Sequence, residues 1–367
     1  MESNMIKQKF LTSVLVAASV ALVGCGGATA MYRGDISHTG IMSSSGPSSL
    51  DTLAWKYRLP DKTYASPVAD GNNIYIGCND GQLYAIDQGT GKVNWTFRTG
   101  ANVESSVALA DGYVFVGSWD KNFYAIDAET RAVHWQIPVN GPISSSPVAH
   151  NGTVYFGAED GFMYAIDIDS GREKWKFNAK GGIYSSPAIK GDYLFFGTLK
   201  GMMYSVNIET GQEFWRFPLR HKIHSSPAVD EDNVYFGADD KYMYAVNIRT
   251  GQEVWKKKTA GQVLSSPALS GGLVIFGSKD GYVYGYDRNT GYREWEYRTE
   301  GPVFSSPVVA SGLVYISSTD QNMYVLNESN GEYKWKYTTE DKIFSSPVVD
   351  SGKVYFSSVD GSVYAVK

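Results

Sequence analysis

Tryptophan recurs in this chain at a constant spacing of forty residues, with no insertion or deletion between the first copy and the eighth. The eight copies are Trp55, Trp95, Trp135, Trp175, Trp215, Trp255, Trp295 and Trp335. A period in this range is typical of propeller blades, in which each repeat is a small sheet that buries its faces against its neighbours. The spacing therefore predicts a ring of similar units over residues 51–367, with the tryptophans as structural docking residues between blades.

Each unit contains four short apolar runs separated by turn residues, as in the stretches 185–189, 193–197, 203–207 and 213–217. Four runs predict four antiparallel strands, joined by Asp-Gly hairpin turns and by Asp/Asn-x-x-Thr-Gly turns. The composition agrees, since the chain has 26 Tyr and 39 Gly and no helical heptads. The predicted fold class is all-β, an eight-bladed β-propeller of four-stranded antiparallel blades.

The two ends of the repeat are offset. The last run, Val363 to Val366, corresponds to the third strand of an eighth unit, and no fourth run follows it. The run Leu53 to Tyr57 precedes the first complete unit and matches the missing strand. We expect this N-terminal strand to join the C-terminal blade, which closes the ring and removes an exposed sheet edge.

Three further positions repeat with the same period. Seven of the eight first strands contain Pro, from Pro67 to Pro347, with Val107 as the exception, which predicts a free inner edge that needs no amide donor. Paired serines next to these prolines are expected to be small because eight strands converge there; a ring of polar ligands is the alternative. A tyrosine recurs from Tyr84 to Tyr364 and is expected to pack between blades with its hydroxyl bonded to a neighbour.

The first residues differ from all that follow. Lys7 and Lys9 precede a short apolar run, and Leu22-Val23-Gly24-Cys25 reads as a lipobox. The predicted organisation is a lipoprotein signal peptide at 1–24, a lipidated Cys25 beginning a flexible tether at 25–50, and the propeller at 51–367. A plain secretory signal cut after Ala30 is the alternative.

Charge and thiols narrow the classes of function. A formal net charge of −5 gives no electrostatic reason to expect a nucleic-acid partner. Beyond Cys25 the chain has one cysteine, Cys78. With no recognisable base placed for it, we expect Cys78 to pack as a small apolar residue and not to act as a nucleophile.

The repeat itself resembles a known family. Tyr84 to Trp95, and nearly intact Tyr164 to Trp175, follow the pattern Tyr-Ala-Ile-Asp-x-x-Thr-Gly-x-x-x-Trp, which resembles the repeat of quinoprotein (PQQ-type) β-propellers. A lipobox followed by one eight-bladed domain is similar to the BamB family, lipoproteins of the outer-membrane β-barrel assembly machinery. The stretch Met31 to Asp35, with His38 to Gly40 after it, resembles the segment that precedes the propeller in many PQQ-repeat proteins.

This resemblance implies a monomeric, non-enzymatic scaffold that binds an envelope protein. It also implies a location on the periplasmic side of the outer membrane, with the lipid as the sole contact with the membrane. The family's partner-binding Leu-Arg pair is matched by Leu219-Arg220, whereas its Asp-x-Asp has no match at residues 260–263, so the specific partner stays open. Quinoprotein dehydrogenases carry adjacent cysteines, and this chain has no such pair. The resemblance therefore implies neither an enzyme nor a cofactor.

Function is expected where the repeat is broken. The ninth tryptophan, Trp119, the pair Leu199-Lys200 and the basic loop from Arg220 to His224 all fall in loops that leave one face of a propeller. The position before each serine pair also varies and forms an aromatic-rich rim suited to a protein partner. The candidate partner-binding residues are Tyr64, Glu104, Trp119, Tyr184, Leu199, Lys200, Leu219, Arg220, His221, Lys222, His224, Phe304 and Phe344.

The sequence leaves other roles open for these residues. The rim side chains could be ordinary packing over the channel, or the channel mouth could bind a small molecule or a glycan. His221 and His224 are three residues apart, but no third ligand lies nearby in sequence, so no metal site is predicted.

Overall fold

The computed structural model describes residues 30–47, 49 and 51–367. The predicted signal peptide at 1–24 and the predicted lipidation site, Cys25, lie outside these residues. Within them the chain forms eight sheets and no α-helix, and the prediction of an all-β, eight-bladed propeller is confirmed. None of the described residues belongs to a helix long and apolar enough to cross a membrane.

The strands follow one another in chain order with nearly constant lengths. The first seventeen are β1 (Ala30–Met31), β2 (Leu53–Arg58), β3 (Val68–Ala69), β4 (Asn73–Gly77), β5 (Gln82–Asp87), β6 (Val93–Arg98), β7 (Ala108–Ala110), β8 (Tyr113–Gly117), β9 (Asn122–Asp127), β10 (Val133–Pro138), β11 (Val148–His150), β12 (Thr153–Gly157), β13 (Phe162–Asp167), β14 (Glu173–Asn178), β15 (Ala188–Lys190), β16 (Tyr193–Gly197) and β17 (Met202–Asn207). The remaining sixteen are β18 (Glu213–Pro218), β19 (Ala228–Val229), β20 (Asn233–Gly237), β21 (Tyr242–Asn247), β22 (Glu253–Lys258), β23 (Ala268–Ser270), β24 (Leu273–Gly277), β25 (Tyr282–Asp287), β26 (Arg293–Arg298), β27 (Val308–Ala310), β28 (Leu313–Ser317), β29 (Asn322–Asn327), β30 (Tyr333–Thr338), β31 (Val348–Asp350), β32 (Lys353–Ser358) and β33 (Ser362–Val366).

Seven blades are consecutive antiparallel meanders: β3–β6 is blade 1, β7–β10 blade 2, and so on to β27–β30, blade 7. Blade 8 has the order β2-β33-β32-β31, so its outermost strand comes from the N-terminal side, with Trp55 opposite Ala365. We expected the repeated proline to lie within each inner strand. Instead, it lies one residue before the strand begins. The inner strands are only two or three residues long because the blades converge there.

The blades are held together by an indole packed on the turn of the next blade. Trp175 Nε1 donates to the Ile208 carbonyl at 2.9 Å, and its ring covers Gly211, where a Cβ atom would lie 2.7 Å from the ring. The same pair of contacts joins Trp55, Trp135, Trp215, Trp255 and Trp295 to the blade that follows each of them. The residue at the turn must be glycine, since it combines a positive φ with no room for a side chain.

Two tryptophans depart from this pattern. Opposite Trp95 the repeat places Arg131 where other blades have glycine, and Arg131 adopts a φ of 64°. Opposite Trp335 the outer strand of the next blade is β2, so the repeat places Asp51 at the equivalent turn position. Both indoles are half-buried, and among the described residues neither donates a hydrogen bond to a carbonyl of the next blade.

The repeated tyrosines pack between blades but bond within their own blade. The Tyr124 ring lies edge-on to Phe97 of the preceding blade, with centroids 5.2 Å apart. Its hydroxyl donates to Asp120 at 2.6 Å, in the hairpin turn of the same blade, and Asp120 also accepts from the Gly100 amide of the preceding loop at 2.7 Å. The expectation that the hydroxyl is satisfied by a neighbouring blade holds only for Tyr204, which donates to the Ala179 carbonyl because Lys200 replaces the aspartate.

The paired serines carry two separate sets of hydrogen bonds. The first serine ties its loop to the second strand, as where Ser145 Oγ accepts from the Gly157 amide at 3.2 Å. The second serine joins the blades, since its amide donates to the equivalent hydroxyl of the next blade at 2.8 to 3.1 Å. Between blades 1 and 2 the Ser106 hydroxyl instead donates to the Ser66 carbonyl at 2.9 Å. These second serines form a closed serine belt, so crowding alone does not account for the residue type.

Residues 30–42 differ from the flexible tether that we expected for 25–50. They form an axial plug that lies along the inner strands: Met31 pairs with Ala108 of β7, and the Ser37 carbonyl accepts from the Val229 amide of β19 at 2.9 Å. The carbonyls of Ile36, Thr39 and Gly40 accept from the inner strands of blades 4, 6 and 7 in the same way. This segment is ordered because its backbone satisfies the free inner edges of the blades.

The plug buries an arginine and a histidine on the axis. Arg33 is 3% exposed and donates to the carbonyls of Pro267 at 2.5 Å and Pro307 at 3.0 Å. His38 is 1% exposed, and burial, together with the charge of Arg33, lowers its pKa to about 3. The imidazole is therefore neutral, and the positive charge of Arg33 is stabilised by the carbonyl dipoles that accept its hydrogen bonds.

Cys78 packs as predicted. Its side chain is fully buried in the core between blades 8 and 1, and its sulfur lies 3.5 Å from the Asp61 carbonyl. Burial raises the pKa of the thiol to about 11, which leaves it protonated at neutral pH.

The indole contact predicts an unequal response to the same substitution at two glycines. Gly211→Ala is expected to lower the free energy of unfolding by about 3 kcal/mol, since it adds a clash with Trp175 to the cost of a left-handed alanine. Gly152→Ala, at a similar φ of 67° and with no atom within 4 Å of the new Cβ, is expected to cost only about 1 kcal/mol. Urea unfolding measures both, and equal losses would contradict the docking role of the glycine.

Candidate functional site

The loops between blades and the turns between second and third strands form one face, here called the loop face. The Trp119 amide donates to the Asn102 carbonyl at 2.9 Å, and the Leu199 amide donates to the Gly182 carbonyl at 2.8 Å. Each turn is thus bound to the loop that enters its own blade, and the same bond recurs around the ring. The opposite face, formed by the remaining turns, is called the base.

The channel opens on the loop face in a cavity of about 500 Å³. Its rim, the channel mouth, is formed by the residue before each serine pair: Tyr64, Glu104, Ser144, Tyr184, His224, Leu264, Phe304 and Phe344. The serine belt lines the cavity below the rim, and Tyr32 of the plug reaches the belt with its hydroxyl 3.2 Å from Ser306 Oγ. The mouth is therefore a closed-bottomed pocket and not an open pore at this level.

One side of the mouth is acidic. Trp119, which is 39% exposed, donates from Nε1 to Ser144 Oγ at 3.1 Å, and Ser144 Oγ donates to Glu159 Oε1 at 3.4 Å. Glu104 lies half-buried on the same side. Burial and the nearby charge of Glu159 raise the pKa of Glu104 to about 6. This side therefore holds two carboxylates, of which Glu104 is partly desolvated and Glu159 is exposed.

The other side is aromatic. The Phe304 and Phe344 rings lie 5.1 Å apart, and Phe344 lies edge-on to Tyr64 at 5.8 Å. Lys279 places its ammonium 5.4 Å from the Phe304 ring and donates to Gln262 Oε1 at 2.7 Å. These rings form a continuous apolar wall across three blades.

The two histidines singled out in the sequence line two different depressions of the loop face. His224 Nδ1 is 2.9 Å from Asp239 Oδ1, and its ring is edge-on to Tyr184 at 5.8 Å. His221 is exposed and faces a separate groove. In the part of the chain that the structure describes, no group of three or more His, Cys, Asp or Glu side chains is placed to hold a metal ion.

A second depression, the basic groove, lies on the loop face between blades 4 and 5. It encloses about 400 Å³ and is lined by Leu199, Lys200, Arg220, His221, Lys222, Asp239 and Gln262. Arg220, His221 and Lys222 are exposed. Leu219 instead packs against the core between the same blades, so only the arginine of the Leu-Arg pair is presented to solvent.

Sequence reasoning missed part of the mouth. Glu159, Asp239 and Lys279 occupy the repeat position of Trp119 and Leu199, and this position differs in every blade. The sequence-based candidates include only Trp119 and Leu199 from this position, although the variability of the whole position is visible in the sequence. Tyr32 is not among the predicted site residues because the sequence predicts a flexible tether at residues 25–50.

The environment of Glu104 predicts a pH-dependent change in stability. A carboxyl whose pKa is raised in the folded state costs nothing below pH 4.5 and its penalty grows as pH rises through 6. Glu104→Gln is therefore expected to stabilise the protein by about 1 kcal/mol at pH 8 and to leave it unchanged at pH 4, allowing for solvent screening. Urea unfolding at the two pH values, with the exposed Glu129→Gln on the base as control, measures this. A pH-independent effect would contradict it.

The fold occurs in proteins of different activity. BamB from Moraxella catarrhalis is 18% identical, with a TM-score of 0.74 over 86% of this chain and 98% of that one. A europium-containing methanol dehydrogenase is 15% identical, with a TM-score of 0.78 over 89% and 88%. The computationally designed Ika8 protein is 18% identical, with a TM-score of 0.73 over 84% and 99%. At these identities the likeness shows the fold alone.

The dehydrogenase relatives raise the question of a quinone cofactor. Pyrroloquinoline quinone is a polycarboxylate and needs cationic or neutral donors to orient it. The mouth offers the carboxylate of Glu104, with the charge of Glu159 nearby, and the ammonium of Lys279 beside the rim is already bonded to Gln262. These residues do not fit the cofactor, and no reaction step is derived from it.

Family models match two parts of the sequence. The model described as outer membrane protein assembly factor BamB matches residues 49–105, and the model of the β-propeller of β-alanine-activating enzyme matches residues 188–367. No curated protein matches the chain significantly. The eight blades, the indole contact and these matches agree with one another: the chain is a PQQ-like β-propeller with BamB-like repeats.

Proposed function

We propose that this protein is a non-enzymatic, lipid-anchored scaffold of the cell envelope that binds a protein partner through its loop face. The observation that carries the proposal is the basic groove, in which the residues that break the repeat in blades 4 and 5 come together on one exposed surface. A propeller has the same core in every blade, so a surface formed by non-repeating residues is where a specific partner is expected to bind.

The chemistry of the groove suits an acidic protein surface. Lys200, Arg220 and Lys222 supply positive charge around the side chain of Leu199. Among the described residues, none of these three cations forms a salt bridge within the chain. An arginine beside an apolar contact is a common centre of binding energy in protein interfaces, and the lysines favour association with a negatively charged partner.

The proposed anchor would leave this face free. Ala30 lies at the inner edge of blade 2, paired with Leu109, and Cys25 precedes it by five residues. Five residues reach at most about 17 Å. A lipid on Cys25 would therefore hold the propeller close to the membrane through the axial plug, with the base nearer the lipid and the loop face turned away from it.

The model match to an outer membrane protein assembly factor supports the barrel assembly machinery as the partner and the periplasmic side of the outer membrane as the location. The departure from that family in the loop after the basic groove, at residues 260–263, makes this partner the part of the proposal most in need of a test.

Charge reversal in the groove is expected to abolish partner capture without unfolding the ring. The variant Arg220→Glu with Lys222→Glu should reduce co-purification of barrel assembly subunits from crosslinked native membranes by about thirtyfold, the effect of losing one interface centre. Trp119→Ala tests the mouth in the same assay. Quantitative mass spectrometry of the captured proteins is the measurement.

The matched control is Arg249→Glu, an exposed charge reversal in a turn of the base of blade 5. It should leave capture at the level of the unaltered protein. Undiminished capture by the groove variant, or an equal loss in the Arg249 control, would overturn the loop face as the binding surface.

A further inference from the structure

The channel mouth has two chemically different sides, and the acidic side lacks a counter-charge. Across the described residues, no salt bridge involves Glu104 or Glu159. The basic groups nearest in the rim are engaged elsewhere, His224 with Asp239 and Lys279 with Gln262. The charge of Glu159, which is exposed beside the mouth, thus acts on the half-buried carboxylate of Glu104, and a cation from outside would relieve this repulsion.

The position of Glu159 is fixed by its neighbours. Trp119 Nε1 donates to Ser144 Oγ, and Ser144 in turn donates to the Glu159 carboxylate, so a three-membered chain of hydrogen bonds orients one of the two acids. Tyr184 stands beside both acids, and their charges raise the pKa of its phenol to about 12, second to the effect of burial. The acidic side is therefore a preformed group of acceptors with an aromatic neighbour.

The opposite wall selects for an apolar stem. Phe304, Phe344 and Tyr64 present ring faces and edges to the same cavity of about 500 Å³. A bare inorganic cation would leave this wall uncovered. A side chain with a long aliphatic part and a terminal charge would cover the rings with its methylenes and bring its charge to the acids.

We propose that the channel mouth binds the side chain of a lysine or arginine carried on an extended segment of a partner polypeptide, with the cationic group between Glu104 and Glu159 and the aliphatic stem against the aromatic wall. A polypeptide source fits the exposed rings of Tyr64, Tyr184 and Trp119, which are 42%, 38% and 39% exposed around the opening and offer contacts to residues on either side of the bound one. This inference goes beyond the proposed function, since it does not depend on which protein fills the basic groove.

The test is calorimetric titration of the full-length protein in detergent at pH 7.5. The probe is a capped pentapeptide of glycine and serine with a central lysine, and its isostere has norleucine at that place. The lysine peptide is expected to bind and the norleucine peptide to show no binding. Glu104→Gln should raise the dissociation constant for the lysine peptide about tenfold, whereas Glu129→Gln on the base should leave it unchanged.

Each other outcome overturns the inference. Equal binding of the norleucine peptide would show that the wall alone binds peptides, and an unchanged dissociation constant in Glu104→Gln would remove the carboxylate from the site. Binding of n-butylamine as tight as that of the lysine peptide would assign the mouth to a free amine, and binding of a neutral sugar that excludes the peptide would assign it to a glycan.

The result is separable from that of the partner capture assay. The variant Arg220→Glu with Lys222→Glu is expected to bind the lysine peptide with an unchanged dissociation constant, because its substitutions lie in the basic groove and not in the rim. Loss of peptide binding in that variant would contradict a separate site at the channel mouth.

Discussion

The indole of one blade lying on the glycine turn of the next is the contact on which the ring depends. It combines three requirements: a flat ring, an N–H aimed at a carbonyl 33 residues further on, and a turn with no side chain. Because the same geometry recurs at six interfaces, each blade adds nearly the same rotation, and small errors do not accumulate around the ring. The interfaces after Trp95 and Trp335 lack this contact among the described residues and depend more on the shared apolar core and the serine belt.

The serine belt and the axial plug solve a second constraint, the free inner edges of eight short strands. Unpaired amides and carbonyls at the axis would be costly to bury. The belt satisfies part of them from blade to blade, and the plug satisfies others, with Arg33 donating to the two proline carbonyls that face it. As a result the channel is filled at the base and open only at the loop face, which is where the non-repeating side chains are.

The sequence allowed the fold to be predicted because its strongest signal, the forty-residue period, reports on interactions that are identical in every blade. It was less informative about contacts made only once. Residues 30–42 lie in a stretch, 25–50, whose overall composition predicts a tether, and their order comes from backbone hydrogen bonds that composition does not reveal. Glu159 gave no signal on its own, since an acid in a turn is ordinary. It becomes notable only through Ser144 and Glu104, which the packing of blades 2 and 3 brings to it.

The pairing of β2 with β33 has a consequence for how the chain reaches its final form. Trp55 and Ala365 face each other across one sheet, so a contact between residues near opposite ends of the sequence completes blade 8. Contacts of such long range are slow to form, and this one has to wait until almost the whole polypeptide has been synthesised. Until β33 has been synthesised, β2 has no partner strand in blade 8, so the ring stays open and one blade face stays uncovered.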